Sequence, residues 1–332
     1  MNYNFLILLL IFSFQCLENN LLGDDLLSKT NDHLFSLQNS DEFLSIEKFT
    51  YANHRRYTFS GSTPYKESHL TPKRIIKTSS FLLINQLLVY KYILQPSWWF
   101  GEEVEFHYDV DENYARLADK IGHAYGGYYL STLYTDLFLS TGFNWNRARL
   151  YSGFLSFIQL FELEYKDGLA PNYGFSKLDI YSNAIGILYY YLQHYVPFFQ
   201  NFTPKYLYNY PKFFHDSTIS SASIVENYEE MTFFISINVK NLLPTHYKNM
   251  WLNGLDLAVG YSVRGYNVIG EPRYPLKENY YLGVDLNLLS ILPNHDSRWH
   301  WVAQTLNFIK LPTPMIEYTD DGKKNHLLYP LK

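Results

Sequence analysis

Near residue 200 the hydrophobic pattern of this chain changes period, and that change constrains the fold more than any other feature. Beyond it, Met231, Phe233, Ile235, Ile237 and Val239 alternate with Thr232, Phe234, Ser236 and Asn238. Leu255, Leu257, Val259, Tyr261 and Val263 alternate with Asp256, Ala258, Gly260 and Ser262, and Tyr280, Leu282, Val284, Leu286 and Leu288 repeat the pattern. Alternation at period two predicts strands with one apolar face. Residues 299–309 are expected to add a fourth strand, and Pro312-Thr313-Pro314 to close the run. An antiparallel sheet packed on a helical layer gives this pattern, and so does an outer-membrane barrel facing lipid. Four or five strands cannot close a barrel alone, because the smallest single-chain barrels need about eight. The expected class is α+β: a buried helical half of about four helices, followed by antiparallel strands forming a sheet or partial barrel.

Before residue 200 the spacing is helical. Thr71-Pro72 reads as an N-cap followed by proline at the first helical position, opening a helix over 73–94 that Gln95-Pro96 ends. A second helix is expected over 111–140, with a break near Gly126-Gly127, and a third over 145–166 with Gly168 as a left-handed cap. Ser176 caps a fourth, which ends near Pro197. Apolar residues surround most of each circumference, which predicts burial on several sides. Residues 180–204 carry no Asp, Glu, Lys or Arg and are long enough to span a bilayer. Their Tyr, Gln, Asn and His content, the interruption at Pro197 and the acids within the other helices weigh against multiple spans.

The chain opens on an apolar run over 5–14, too short to span but of signal-peptide length, followed by Cys16. Residues 1–16 are therefore read as an export signal. Cys16 is a candidate lipidation site, although Gln15 is bulkier than lipoprotein processing favours. It is the only cysteine in 332 residues, so there is no disulfide framework and no thiolate metal site. Residues 17–70 read as a polar, loop-rich leader with a short helix over 41–49, residues 71–200 as the helical half, and 201–332 as the strand half packed on it. A net charge of −5 without a basic stripe excludes a nucleic-acid footprint. The 19% aromatic share, with 32 Tyr and 24 Phe, suits an apolar–wet boundary. An AT-rich genome would produce the same bias.

Acids and a histidine inside this apolar helical sequence cost free energy to bury, so each needs a partner or a task. Asp119 and His123 are four apart and share a helix face, and Asp179 and Asn183 repeat the spacing with Gly186 close by. Gly122, Gly126 and Gly127 would let another backbone approach that face. If the helices pack together, Asp119, His123, Glu162, Asp167, Asp179 and Asn183 converge. Three readings remain open. In one, the groups form a buried, mutually satisfied network, with Lys120 or Lys166 neutralising part of the acid. In another they hold a divalent metal through carboxylates and one imidazole, without the HExxH spacing that would single it out. In the third, His123 is a general base oriented by Asp119. On the catalytic readings the residues in question are Asp119, His123, Glu164, Asp167 and Asp179. Lys120, Glu162, Ser176 and Asn183 complete the polar cluster. No P-loop, dinucleotide fingerprint or nucleophile elbow is present in the sequence.

Several pieces occur in a telling order: Phe106-His107-Tyr108-Asp109, Asp119-Lys120-Ile121-Gly122-His123-Ala124, Glu164-Tyr165-Lys166-Asp167-Gly168, Gly174-Phe175-Ser176-Lys177-Leu178-Asp179 and Asn183-Ala184-Ile185-Gly186. In that order they resemble an uncharacterised bacterial family of predicted periplasmic lipoproteins. The family includes the enterobacterial YfiM protein and has longer, Bacteroidetes-like members. Thr232-Phe233-Phe234-Ile235-Ser236, Ala258-Val259-Gly260-Tyr261 and the stretch 306–314 are similar to the longer members, so the resemblance covers roughly residues 75–318. It implies a Gram-negative-type envelope protein, exported to the periplasm or outer membrane, and no catalytic assignment. The expected function is a structural or binding role in the envelope, with membrane or lipid as partner and protein partners open. The alternative is a metal-dependent hydrolase acting on lipid or glycan.

Overall fold

The computed structural model describes residues 50–51, 54–55, 67–99, 101–112, 114–208, 228–266, 272–292 and 297–331. Cys16, the signal segment and the helix expected over 41–49 lie outside the described residues. Four long helices come first: α1 (Pro72–Val89), α2 (Ala118–Thr141), α3 (Trp145–Asp167) and α4 (Lys177–Tyr195). The caps follow side-chain chemistry. Thr71, Asn144 and Ser176 each accept the backbone N–H three residues on, satisfying a donor that the first turn leaves free.

Three details differ from expectation. The chain does not leave the helix at Gln95-Pro96 but continues through a π turn and a last α turn to Ser97. Helix α2 is unbroken at Gly126-Gly127; the irregularity lies before it, where Ala115, Arg116 and Leu117 adopt left-handed conformations. Gly168 is right-handed at φ −61°, and its missing side chain instead makes room for the Phe106 ring, 2.5 Å from where a Cβ would sit.

Helix α2 is the centre of the bundle. It runs antiparallel to α3 and packs on α4 at two glycines. A Cβ at Gly186 would lie 1.8 Å from the Ala124 carbonyl oxygen, and one at Gly127 would lie 2.4 Å from that of Asn183. Gly126 faces open space and Gly122 meets the Phe233 ring. Many of the large apolar side chains of α3 and α4 are not buried, although Ile187 and Tyr190 of α4 are. α3 buries Ala148, Arg149, Ser152, Gly153, Ser156 and Glu164, while Leu150, Phe154, Ile158 and Phe161 are exposed. The reason is spacing: small residues face α2 and let backbones approach, which leaves the large side chains outside.

The strand half is a six-stranded antiparallel meander: β1 (Phe202–Tyr208), β2 (Met231–Ile237), β3 (Leu255–Tyr266), β4 (Pro272–Leu286), β5 (Thr313–Thr319) and β6 (Gly322–Tyr329). Three of these match the alternating runs. The strand expected over 299–309 is not formed; residues 297–306 are a helix instead, α5 (Ser297–Leu306). Pro312-Thr313-Pro314 opens β5 rather than closing the sheet.

The register sets Tyr206, Phe233, Tyr261, Tyr280 and Tyr318 side by side in one row across β1 to β5. At the β1–β2 end this face meets α2, where Tyr125 stacks on Tyr206 and packs against Phe233. The sheet is not closed, but it curls around its other face. The Thr232 hydroxyl on β2 and the Tyr329 hydroxyl on β6 are 2.9 Å apart, too close for a flat sheet with three strands between them. Tyr206 also exchanges backbone hydrogen bonds with the stretch 308–310, which covers the free edge of β1. Inside the curl lie Leu207, Phe234, Tyr281 and Met315 together with a buried charge group, Lys205, Asp285 and Lys310.

Candidate functional site

The polar cluster forms where α2, α4, the end of α3 and the strand half meet. Asp119, Lys120 and His123 come from the first two turns of α2, Asp179 and Asn183 from the first two turns of α4, and Glu164 from the last turn of α3. Two further groups close it. Asp111 precedes the left-handed turn, and Tyr228 leads into β2.

Lys120 is the hub. Its Nζ donates to Asp179 Oδ1 at 2.6 Å, to Asp119 Oδ2 at 2.7 Å, and to Asp111 Oδ2. The Tyr228 hydroxyl donates to the second oxygen of Asp119, and the Ser176 hydroxyl donates to Asp111 Oδ1 at 2.9 Å while capping α4 through Asp179 N–H. His123 sits beside them. Its Nε2 is 3.5 Å from Asp119 and 3.6 Å from Asp179, and its Nδ1 is 3.2 Å from the Asn183 side-chain oxygen and 3.3 Å from Glu164. Glu164 is 1% exposed and its Oε1 makes no hydrogen bond; the Asn183 side-chain nitrogen, also buried, makes none either.

These distances set the protonation states. Burial alone would push the His123 imidazole down. The hydrogen bond with Asp119 and the charges of Asp119, Asp179 and Glu164 outweigh it and raise His123 to about 10, so it is a cation at neutral pH. Burial would raise Asp119, but His123 and Lys120 hold it well below the usual carboxylate range. Burial dominates elsewhere: Glu164 rises to about 8, Asp167 to about 7 and Asp179 to about 6. Lys120 is held above its ordinary value, because Asp119 and the other two carboxylates outweigh the burial that would lower it.

Of the residues expected to converge, Asp119, His123, Asp179 and Asn183 do so, joined by Lys120, Glu164 and Ser176. Glu162 does not: two residues before Glu164 and so on the opposite side of the helix, it faces solvent. Asp167 lies at the margin, accepting a 2.6 Å hydrogen bond from the Trp99 indole. Lys166 pairs with Glu103 on the surface, so the cation within the cluster is Lys120. Asp111 and Tyr228 were not anticipated. Asp111 had a weak signal, an acid nine residues before Lys120 beyond the helix start. Tyr228 had none, since contact over 109 residues of separation is a property of the fold.

Asp119, His123 and Asp179 each offer a ligand atom within 4.8 Å of the others, a spacing that suits a metal ion. The donor chemistry fits less well. The Lys120 ammonium already occupies one oxygen of each carboxylate, and the second oxygen of Asp119 accepts from the Tyr228 hydroxyl.

Residues 106–195 match the family model described as a predicted periplasmic lipoprotein (DUF2279). The matched segment holds α2, α3, α4 and the irregular stretch with Asp111, hence every member of the cluster except Tyr228. The family's periplasmic description agrees with the resemblance read from the sequence and with an exported location. No curated protein and no solved structure matches the chain.

Proposed function

We propose that this chain is a non-catalytic component of the bacterial envelope, exported by residues 1–16 and held at the outer membrane or in the periplasm. In this reading the Asp–Lys–His cluster locks the helical bundle to the strand half. The observation that carries it is Lys120, whose ammonium takes three carboxylates from three stretches of chain, one of which also accepts Tyr228 from the strand half. A buried cation satisfied three times is a packing device: it fixes register, and it is costly to break.

Removing one partner leaves uncompensated buried charge, so Lys120→Met is expected to cost about 3–5 kcal/mol. Asp119→Asn and His123→Gln lower stability as well. Thermal melts of the three variants test this, and full thermal stability in Asp119→Asn and His123→Gln would sink the packing role. The second reading, a metal-dependent hydrolase of lipid or glycan, rests on the Asp119–His123–Asp179 spacing alone. Stoichiometric metal in the purified protein, lost in Asp179→Asn, would favour it instead.

A further inference from the structure

The polarity of this protein is inverted over a large part of its surface. On α4 the buried residues include Asp179, Ser182, Asn183 and Gln193, while Tyr181, Ile185, Leu188 and Tyr195 are exposed, Leu188 at 64%. On α3 the buried set is small or polar and the exposed set is Leu150, Tyr151, Phe154, Ile158, Phe161 and Tyr165. In water such an arrangement hides the groups that could be solvated and exposes those that cannot. The curled sheet repeats it. Lys205, Asp285 and Glu317 are buried on the inner face, while Val259, Tyr280, Leu282 and Tyr318 are exposed on the outer one.

The order of residues along the band identifies what covers it. The exposed residues run from Tyr151 to Tyr165 on α3 and from Tyr181 to Tyr195 on α4, with Leu, Ile and Phe between. Both intervals are fourteen residues, about 21 Å at the α-helical rise. The helices are antiparallel neighbours, tied by the Tyr191 hydroxyl to the Leu150 carbonyl, and Arg149 lies over the Tyr195 ring, so the paired tyrosines fall at the same ends. Charge is absent through the middle of the band: residues 150–161 and 180–193 contain no Asp, Glu, Lys or Arg. It returns with Arg147 beyond one end, with the exposed Glu162 one turn inside Tyr165 near the other, and with Lys166 and Lys177 beyond that. An uncharged apolar middle with tyrosines and charges toward its rims complements the polarity profile of a lipid layer from acyl chain to headgroup. The sheet carries the same order, the row Tyr261–Tyr280–Tyr318 beside the row Val259–Leu282–Ile316.

We propose that the outward faces of α3 and α4 sit in the acyl-chain region of a phospholipid bilayer. The band is shorter than the roughly 30 Å of a full hydrocarbon core. It enters the membrane without crossing it helix by helix, and no helix among the described residues is long and apolar enough to cross. This seating is separate from any acyl group on Cys16 and from the role of the ion cluster.

The test uses the full chain carrying Cys16→Ser, so that neither an acyl anchor nor a second thiol contributes. Single cysteines replace Phe154, Leu188 or, as an aqueous control on β6 opposite the inward-facing Glu317, Lys324; each is labelled with an environment-sensitive fluorophore and mixed with phosphatidylethanolamine–phosphatidylglycerol vesicles. Probes at 154 and 188 are expected to be quenched by brominated acyl chains and shielded from iodide, and the probe at 324 to show the reverse. Iodide quenching of all three alike would overturn the proposal. Shielding of 154 and 188 from both quenchers, in a chain that sediments as a dimer, would overturn it in favour of a second copy. The variant Phe154→Asp with Leu188→Asp places charge in the band and should reduce co-flotation with the vesicles by at least about tenfold. Circular dichroism checks its fold, and co-flotation equal to that of the parent would count against the lipid face. Because the ion cluster is read by thermal melts and this face by quenching, failure of one leaves the other intact.

Discussion

Glu164 carries the sharpest pH consequence in the cluster. Its carboxyl binds a proton more tightly in the folded chain, where burial raises it from 4.5 to about 8, than in the unfolded one. Between those values the folded state holds more protons, so stability falls as pH rises. Asp179 and Asp167 act in the same direction, from 3.8 to about 6 and about 7. His123 adds to the trend: its contribution is complete below 6.5 and is lost as pH rises through about 10. Asp119 opposes it only in acid, because its contribution is present above 3.8 and is lost as pH falls through its lowered folded value. Melting temperature should therefore peak in mildly acidic buffer and decline toward pH 8. Glu164→Gln keeps the shape but removes the charge, and should raise stability at pH 8 by about 1–3 kcal/mol while leaving pH 5 nearly unchanged. A melt series that shows loss at both pH values would mean that the carboxylate holds His123 in place rather than straining against burial. Sequence alone made Asp119, His123, Asp179 and Asn183 candidates, because i,i+4 spacing fixes a shared face whatever the tertiary fold. It ranked Glu162 with them because both glutamates of α3 are equally acidic, and only packing determines which one faces inward.

At the scale of elements, the contact between α2 and α4 depends on glycine at two positions and not at a third. Gly186→Ala would drive a methyl group into the Ala124 carbonyl and Gly127→Ala into that of Asn183, so each forces the helices apart. Overpacking of this kind costs about 1–3 kcal/mol or more. Gly126→Ala meets nothing within 4 Å and should stabilise the helix by up to about 1 kcal/mol. Chemical denaturation of the three variants gives opposite signs if α2 and α4 meet backbone to backbone; uniform gains would show that they do not. Two helix starts were legible in the sequence through their caps, since Thr71 and Ser176 act on N–H groups three residues away. The strand expected over 299–309 fails for a tertiary reason. Its alternating aromatic spelling suits a strand, yet the segment bridges β4 and β5 as a helix whose Gln304 reaches Asp136 of α2. A tertiary contact outweighed a weak local preference. Strands β1, β5 and β6 were missed because Lys205, Glu317 and the lysines of β6 break the apolar alternation; Lys205 and Glu317 are tolerated because the curled sheet supplies their partners.

For the whole molecule, two buried charge groups sit on either side of the sheet. Lys120 and its three acids join helices to strands, and Lys205 and Lys310 flank Asp285 inside the curl, at 2.6 and 3.4 Å. The second group holds β1 against β4 and the stretch before β5, beside the backbone hydrogen bonds between Tyr206 and residues 308–310. Lys205→Met should cost about 3–5 kcal/mol by leaving Asp285 with one distant cation, and pairing it with Asp285→Leu should recover much of that loss. Equilibrium urea unfolding of both singles and the double provides the cycle; simple additivity would mean that the pair is not coupled.

The sequence by itself determined the order of a helical half and an antiparallel half, most helix starts and the i,i+4 faces of the cluster. Those depend on periodicity and on bonds that reach three or four residues. The tertiary structure alone decided that Lys120 rather than Lys166 neutralises the acids, that Tyr228 closes the cluster, and that α3 and α4 turn their apolar sides outward. Each is a choice between chemically equivalent faces, and such a choice is made by which backbones can approach: glycine and serine draw the helices together, and large apolar side chains are left on the outside.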